Sequence, residues 1–201
     1  MSNEYITLLN GDRWYFDGHA PLNAPIGDML IALDHIGRFT GQTCVFYSVL
    51  QHSLNAYRVA CELTKNRDER RAALVHDVHE CLVGDVSSPM KRWMAGSLQL
   101  AEDSRYKQAE YKAKKAVAWR FHVPVDDSDV VKEVDHHCLV AEAVYLQPQC
   151  GDKEWQQMPL SNGMVVDVRN EASIWIREKL FDRKPTADLI QQFRDALWEC
   201  T

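Results

Sequence analysis

The sequence predicts an all-α domain that begins with a short β-hairpin. Apolar residues recur at three- and four-residue steps over most of the chain, the period of a helix that buries one face. Near the start, Asn10-Gly11 stands between apolar flanks, a two-residue hairpin signal because both turn positions need positive φ. At 201 residues, with 46% hydrophobic and 26% charged side chains, the chain has the size and composition of one globular domain with a sizeable core. No repeat or low-complexity tract divides it. Residues 1–201 are read as one domain, with a core over about 26–146 and a C-terminal helical extension.

The elements follow in order. Ile6 to Phe16 forms the hairpin, and Pro21 and Pro25 mark an irregular approach to a first helix near Ile26–His35. A second helix begins at Tyr47 or Ser48 and runs to about Leu63, with Val49, His52, Ala56, Ala60 and Leu63 in helical register. A third is expected from about Asp68 to Leu82, where Gly84 ends it. From about Ser97 to Phe121 the chain is helical, and Lys107, Lys112, Lys114 and Lys115 interleaved with Glu102, Asp103 and Glu110 read as a solvated face. The helix from about Asp127 to Tyr145 puts Val131, Asp135, Cys138, Leu139 and Glu142 on one face. Gln147 to Arg169 reads as a long loop with a short strand at Met164–Val168, and Leu189, Ile190, Phe193 and Leu197 form the stripe of a last helix.

The net charge of −6 gives no basic footprint for duplex nucleic acid, although a local cleft can still take a small anion. No apolar run approaches the ~20 residues that span a bilayer. The first residues lack a signal peptide's basic and apolar regions. Cys44, Cys61, Cys81, Cys138, Cys150 and Cys200 include no close pair and no zinc-ribbon spacing, so they are expected as free thiols of a reduced cytoplasm, with Cys81 and Cys138 as small core residues.

Four polar residues interrupt three apolar stripes. His76-Asp77, within Ala73-Leu74-Val75-His76-Asp77-Val78-His79-Glu80, sets a nitrogen ligand beside an oxygen ligand in an apolar helix. His52 and Asp135 interrupt two other helices. Such groups are costly to bury unless paired or bound to a metal. Two imidazoles and two carboxylates suit zinc, manganese, cobalt or iron. Neighbours in a helix diverge by about a hundred degrees, so His76 and Asp77 meet at one ion only at the helix flank. A buried His–Asp hydrogen bond without metal is the competing explanation. His136 and His137 point away from the Asp135 face and are expected as packing residues, whereas His79 is either a neighbour of a bound phosphate or a partly exposed helix residue.

The ordered set resembles the HD-domain metal-dependent nucleotide phosphohydrolases, the bacterial 5′-deoxynucleotidases and phage dATP triphosphohydrolases among them. The resemblance rests on Ile36-Gly37-Arg38-Phe39-Thr40-Gly41-Gln42-Thr43, Phe46-Tyr47-Ser48-Val49, His52-Ser53-Leu54, His76-Asp77-Val78-His79-Glu80, Gly84-Asp85-Val86-Ser87-Ser88-Pro89-Met90-Lys91, Lys132 and Asp135. It implies a helical HD bundle with His52, His76, Asp77 and Asp135 as ligands of one divalent ion, and magnesium as an additional ion. Glu80 and Asp85 are the implied acid–base pair. Arg38, Lys91 and Lys132 would neutralise phosphate, Phe39 would stack on base or sugar, and Pro89 in the loop after the motif helix would wall the base or simply turn the chain. Phe39 stands where relatives carry Trp, so base choice transfers less well than chemistry.

The expected function is hydrolysis of a deoxynucleoside triphosphate, dATP foremost, to nucleoside and triphosphate. Hydrolysis of deoxynucleoside monophosphates is the alternative within the class, and a non-catalytic nucleotide sensor is the alternative outside it. The expected partners are the small deoxynucleotide substrate and further copies of the chain in a homo-oligomer, with neither membrane nor duplex nucleic acid, in a bacterial or phage-infected host cytoplasm.

Overall fold

A computed structural model describes residues 4–96, 104–147, 176 and 183–201 of the chain. It is all-α with a two-stranded antiparallel hairpin at its N-terminal end. Strands β1 (Tyr5–Thr7) and β2 (Arg13–Tyr15) pair Tyr5 with Tyr15 and Thr7 with Arg13. The turn is not the expected two-residue one. The Leu8 amide donates to the Asp12 carbonyl (2.8 Å), and only Gly11 takes positive φ, at +87°. Asn10 instead accepts from the Asp12 amide (3.1 Å), so its side chain closes a longer loop.

The helices are α1 (Ile26–His35), α2 (Val49–Leu63), α3 (Arg67–Val75), α4 (Glu80–Val83), α5 (Ser88–Ala95), α6 (Arg105–Phe121), α7 (Asp129–Leu146) and α8 (Thr186–Glu199). Local chemistry starts them. Ser48 and Gln51 form a reciprocal capping box at α2, and Asn66, Ser104 and Ser128 accept a backbone N–H at the starts of α3, α6 and α7. Gly84 and Gly96, with φ of +79° and +58°, end α4 and α5. The segment Gly84–Lys91, expected as a loop, is half helix: Pro89 sits in the first turn of α5, where a missing N–H costs nothing, and it is exposed.

The helix expected over Asp68–Leu82 breaks between α3 and α4. The Ala73 carbonyl takes a hydrogen bond from Nδ1 of His76 (2.7 Å), and the His76 carbonyl one from Nδ1 of His79 (2.9 Å). Amides 78, 80, 81 and 82 then bond three residues back, which tightens the turn.

Helix α2 lies at the centre, against α1, α3, α7 and α8. Two apolar clusters meet along it. One gathers Trp14, Leu30, Leu33, Leu50, Leu74, Val78 and Phe193, and the other Tyr47, Ala56, Val59, Val131, Cys138 and Ile176. Helix α8 is tied down where Asp34 accepts from Ser48 (2.8 Å), Arg183 (3.1 Å) and Thr186 (2.6 Å). No described helix is long and apolar enough to cross a membrane. The expected helical stretch over 97–103, the loop and strand over 148–169, and Cys150 lie outside the described residues.

Candidate metal centre

The four expected ligands converge. Nε2 of His52 and Nε2 of His76 are 3.3 Å apart. Oδ2 of Asp77 lies 3.4 Å from the first and 3.3 Å from the second, and Oδ1 of Asp135 lies at 3.4 and 3.6 Å. A tetrahedron drawn with zinc-type bonds of ~2.0–2.2 Å has edges of about 3.3–3.6 Å. The observed separations match that figure.

Proton positions give an independent test of fit. Nδ1–H of His76 donates to a carbonyl, which can only accept, so a neutral His76 turns a lone pair toward the cluster. Nδ1–H of His52 donates to Oε1 of Glu142 (2.8 Å), with the same result. Two nitrogen lone pairs and two carboxylate oxygens thus face one point, a donor set that suits a divalent cation. Without one, only protons can occupy the point. Burial and Arg38 lower the pKa of His52, but Glu142, Asp135 and Asp77 outweigh them and push it up to about 10. His76 is likewise raised against burial by Asp77 and Asp135. The Asp77 carboxyl is held well below the usual range, against burial, by His76 and His52. Three ligands are enclosed, while the Asp135 side chain is 46% exposed and opens the cluster to solvent.

The helix break makes this possible. His76 and Asp77, which diverge in a regular helix, reach the same point from the tightened turn after α3, and α2 and α7 supply the other two ligands.

Glu80 is buried at the start of α4, near Asp77 and His79, and its Oε2 has no hydrogen-bond partner among the described residues. Burial first, then the Asp77 and Asp85 charges, raise its pKa well above the carboxylate range. Asp85 is half-buried and raised by burial and Asp77, with Arg38 opposing. His79 is buried, not partly exposed.

The cationic and aromatic candidates divide. Arg38 is buried, with Nη1 3.3 Å from Asp77 and Nε 3.2 Å from Glu142, so its charge serves the cluster first. Phe39 is half-buried on the second apolar cluster, in a turn where Phe39 (φ +55°), Thr40 (φ +57°) and Gly41 (φ +74°) are all left-handed. Lys91 is bonded to Glu110. Lys132 stands 60% exposed and pairs with Asp129 (3.3 Å). Cys138 and Cys81 pack in the apolar clusters as expected, and the four-ligand cluster includes neither His136 nor His137.

Two carboxylates carry roles the sequence did not assign. Glu142 is fully buried on α7 and accepts from Tyr47 (2.5 Å) and His52 while it faces Arg38. Its helical phase, seven residues after Asp135, was the available signal. Glu110, expected on a solvated face, is buried: α4 packs on α6, and Lys91 of α5 reaches its carboxylate.

A cleft of about 220 Å³ borders the cluster at His76 and His79, with Val75, Val117 and Val123 as its apolar wall and Lys114 and Asp127 at its edge.

No family model matches the chain. It is similar to the uncharacterized protein YfdR of Escherichia coli, 28% identical over 138 residues, which is 69% of this chain and 70% of that protein. An uncharacterized protein of Rhodobacter capsulatus is 32% identical over 95 residues, 45% of this chain and 48% of its own length.

Proposed function

We propose that this chain is a divalent-metal-dependent phosphohydrolase of the HD type that acts on deoxynucleotides. The observation that carries the reading is the convergence of two imidazole lone pairs and two carboxylates beside a buried Glu80 whose Oε2 has no hydrogen-bond partner among the described residues. A structural His–Asp contact needs neither the second pair of donors nor a buried carboxylate oxygen left without a partner. When bound, a divalent ion such as zinc, cobalt, manganese or iron supplies a Lewis-acid centre that acidifies water and polarises a phosphoryl oxygen.

The chain's own residues supply the rest. Glu80, buried beside Asp77 with its pKa raised by burial and by the Asp77 and Asp85 charges, would take the proton of an attacking water. Asp85 would return a proton to the leaving oxygen, the role the resemblance implies for it. Arg38 holds Asp77 and Glu142 in register, and Lys91 and Lys132 are within the family's set of phosphate contacts. The cleft touches His76 alone of the four candidate ligands and neither Glu80, Asp85 nor Arg38, so it is not used as the substrate site, and the half-buried Phe39 offers less free ring face than stacking would use. Water adds to phosphorus, the ester P–O bond breaks, and the nucleoside leaves with the proton.

The substrate we propose is a deoxynucleoside triphosphate of the dATP type, released as nucleoside and triphosphate. Arg38, Lys91 and Lys132 each already have a carboxylate partner, and this observation favours the second reading, a 5′-deoxynucleotidase that needs less positive charge. Incubation with the four dNMPs and four dNTPs in Mn²⁺, Co²⁺ or Zn²⁺, with chromatographic separation of products, tests both. Triphosphate from a dNTP supports the first, phosphate from dNMPs alone supports the second, and no turnover of either with any metal overturns the enzyme reading.

A further inference from the structure

The cleft of about 220 Å³ beside His76 and His79 lies between α3, α6 and the segment that leads into α7. Its inner surface is apolar: Val75, Val117 and Ala118 are buried, and Ala72 and Val123 are half-buried around them. An aliphatic cavity of roughly 150 Å³ takes up benzene. This one therefore has room for a single ring or branched alkyl group with a short arm.

The mouth carries the opposite chemistry. Of the five side chains with a fixed charge that line the cleft, four are carboxylates, Asp68, Glu69, Asp126 and Asp127, and one is Lys114. Lys114 pairs with Asp127 (3.0 Å), and Arg71, from outside the lining, pairs with Asp68 (2.6 Å). Arg70 is turned to the Thr64 and Cys61 carbonyls, and Arg67 does not line the cleft. Glu69 accepts from the neutral Thr64 hydroxyl, and Asp126 is exposed. Burial lowers the pKa of Lys114, yet Asp127, Asp77 and Glu110 outweigh it and hold the ammonium above its ordinary value. The positive ends of α3 and α7 also open here, but Asn66 and Ser128 already accept from the Asp68 (2.9 Å) and Val131 (3.3 Å) amides. The balance of charge at the mouth favours a cation.

We propose that this cleft is a binding site for a small organic ammonium ion whose body is one aromatic or branched aliphatic group. The body leaves water for the surface of Val75, Val117 and Ala118, and the ammonium lies at the mouth toward Glu69 and Asp126. The site is separate from the chemistry proposed above, since it touches His76 alone of the candidate ligands, and it stands whether or not the chain is a phosphohydrolase.

The test is titration of the 201-residue chain with phenethylammonium, followed by ¹H–¹⁵N chemical shifts. The probes 2-phenylethanol and 3-phenylpropionate, of similar size, supply the neutral and anionic comparisons. Phenethylammonium is expected to bind about threefold to fivefold more tightly than 2-phenylethanol, the scale of one exposed ion pair, and 3-phenylpropionate more weakly than either. The largest shifts should fall on the amides of residues 66–69 and 125–128. Asp126→Asn, an exposed change with little bearing on folding, should remove about half of the preference for the cation on a logarithmic scale and leave 2-phenylethanol unaffected. Ala72→Leu, which fills the cleft from α3, should weaken phenethylammonium and 2-phenylethanol alike by at least about tenfold. No saturable binding of phenethylammonium, equal or tighter binding of either comparison probe, shifts centred on other amides, or an unchanged preference in Asp126→Asn would overturn the proposal.

Discussion

Glu142→Gln separates the support of the candidate metal centre from its candidate ligands. In the wild-type chain Glu142 accepts from His52 and Tyr47 on one oxygen and faces Nε of Arg38 with the other, all within a side chain of zero exposure. Glutamine keeps the shape and one oxygen. If that oxygen faces His52 and Tyr47, the amide N–H groups meet the Arg38 donors; if it is turned, they meet two other donors. Removing one partner of a buried ion pair costs about 3–5 kcal/mol. Retained volume and the remaining Asp77 contact to Arg38 (3.3 Å) bring the expectation down to about 2–3 kcal/mol. Losing the group that orients a metal-binding imidazole typically lowers metal affinity about 10–100-fold. Urea unfolding of the metal-free protein reads the first effect, and competition with a chromophoric chelator reads the second. An unchanged midpoint together with unchanged affinity would refute the role assigned to Glu142.

Asp77→Ala should abolish metal binding, read as metal per chain after desalting, while far-UV circular dichroism retains its helical signal; unchanged stoichiometry would remove Asp77 from the ligand set. Glu80→Gln should lose at least ~10²-fold in turnover with metal retained. The same change should stabilise the metal-free protein at neutral pH. The folded-state pKa of Glu80 is raised, so its favourable contribution is complete below the unfolded value of about 4.3 and is lost as pH rises toward the folded value. Melting temperatures of the two proteins should therefore converge on acidification toward that value, and a constant gap from pH 7 to 4 would contradict the sign. Thr40→Gly should raise stability by roughly 0.5–1 kcal/mol, since an exposed β-branched residue at φ +57° gains more from relief than the unfolded chain gains in freedom; a lower melting temperature would mean that the threonine makes a compensating contact.

What the sequence revealed and what it hid divide along physical lines. Helices α1, α2 and α7 were legible because their apolar period is long and their N-terminal caps are local, as Ser48 and Ser128 show. The four candidate ligands were legible as polar interruptions of apolar stripes. The break at residues 76–79 was not, because it depends on imidazole N–H groups that compete for the Ala73 and His76 carbonyls, a matter of rotamer rather than residue type. Glu110 and Glu142 were misread or passed over for a related reason. A carboxylate on a helix declares its period but not its partner, and Lys91 and His52 come to these two from other helices. The hairpin turn missed by one residue because the Asn10 side chain bonds to the backbone and relieves the need for two left-handed positions.

His52 sits on the helix that touches α1, α3, α7 and α8, at the meeting line of the two apolar clusters. Freeing its amide for exchange with solvent therefore requires most of the chain to open together. A cation held at such a point loses its site only when α2 opens, although the Asp135 side leaves it within reach of solvent. Its binding energy enters the global opening equilibrium, about 2.7 kcal/mol at a free concentration one hundred times Kd. Slowed hydrogen exchange along the whole of α2, and not only near the ligands, is the fingerprint this placement imposes on a loaded chain.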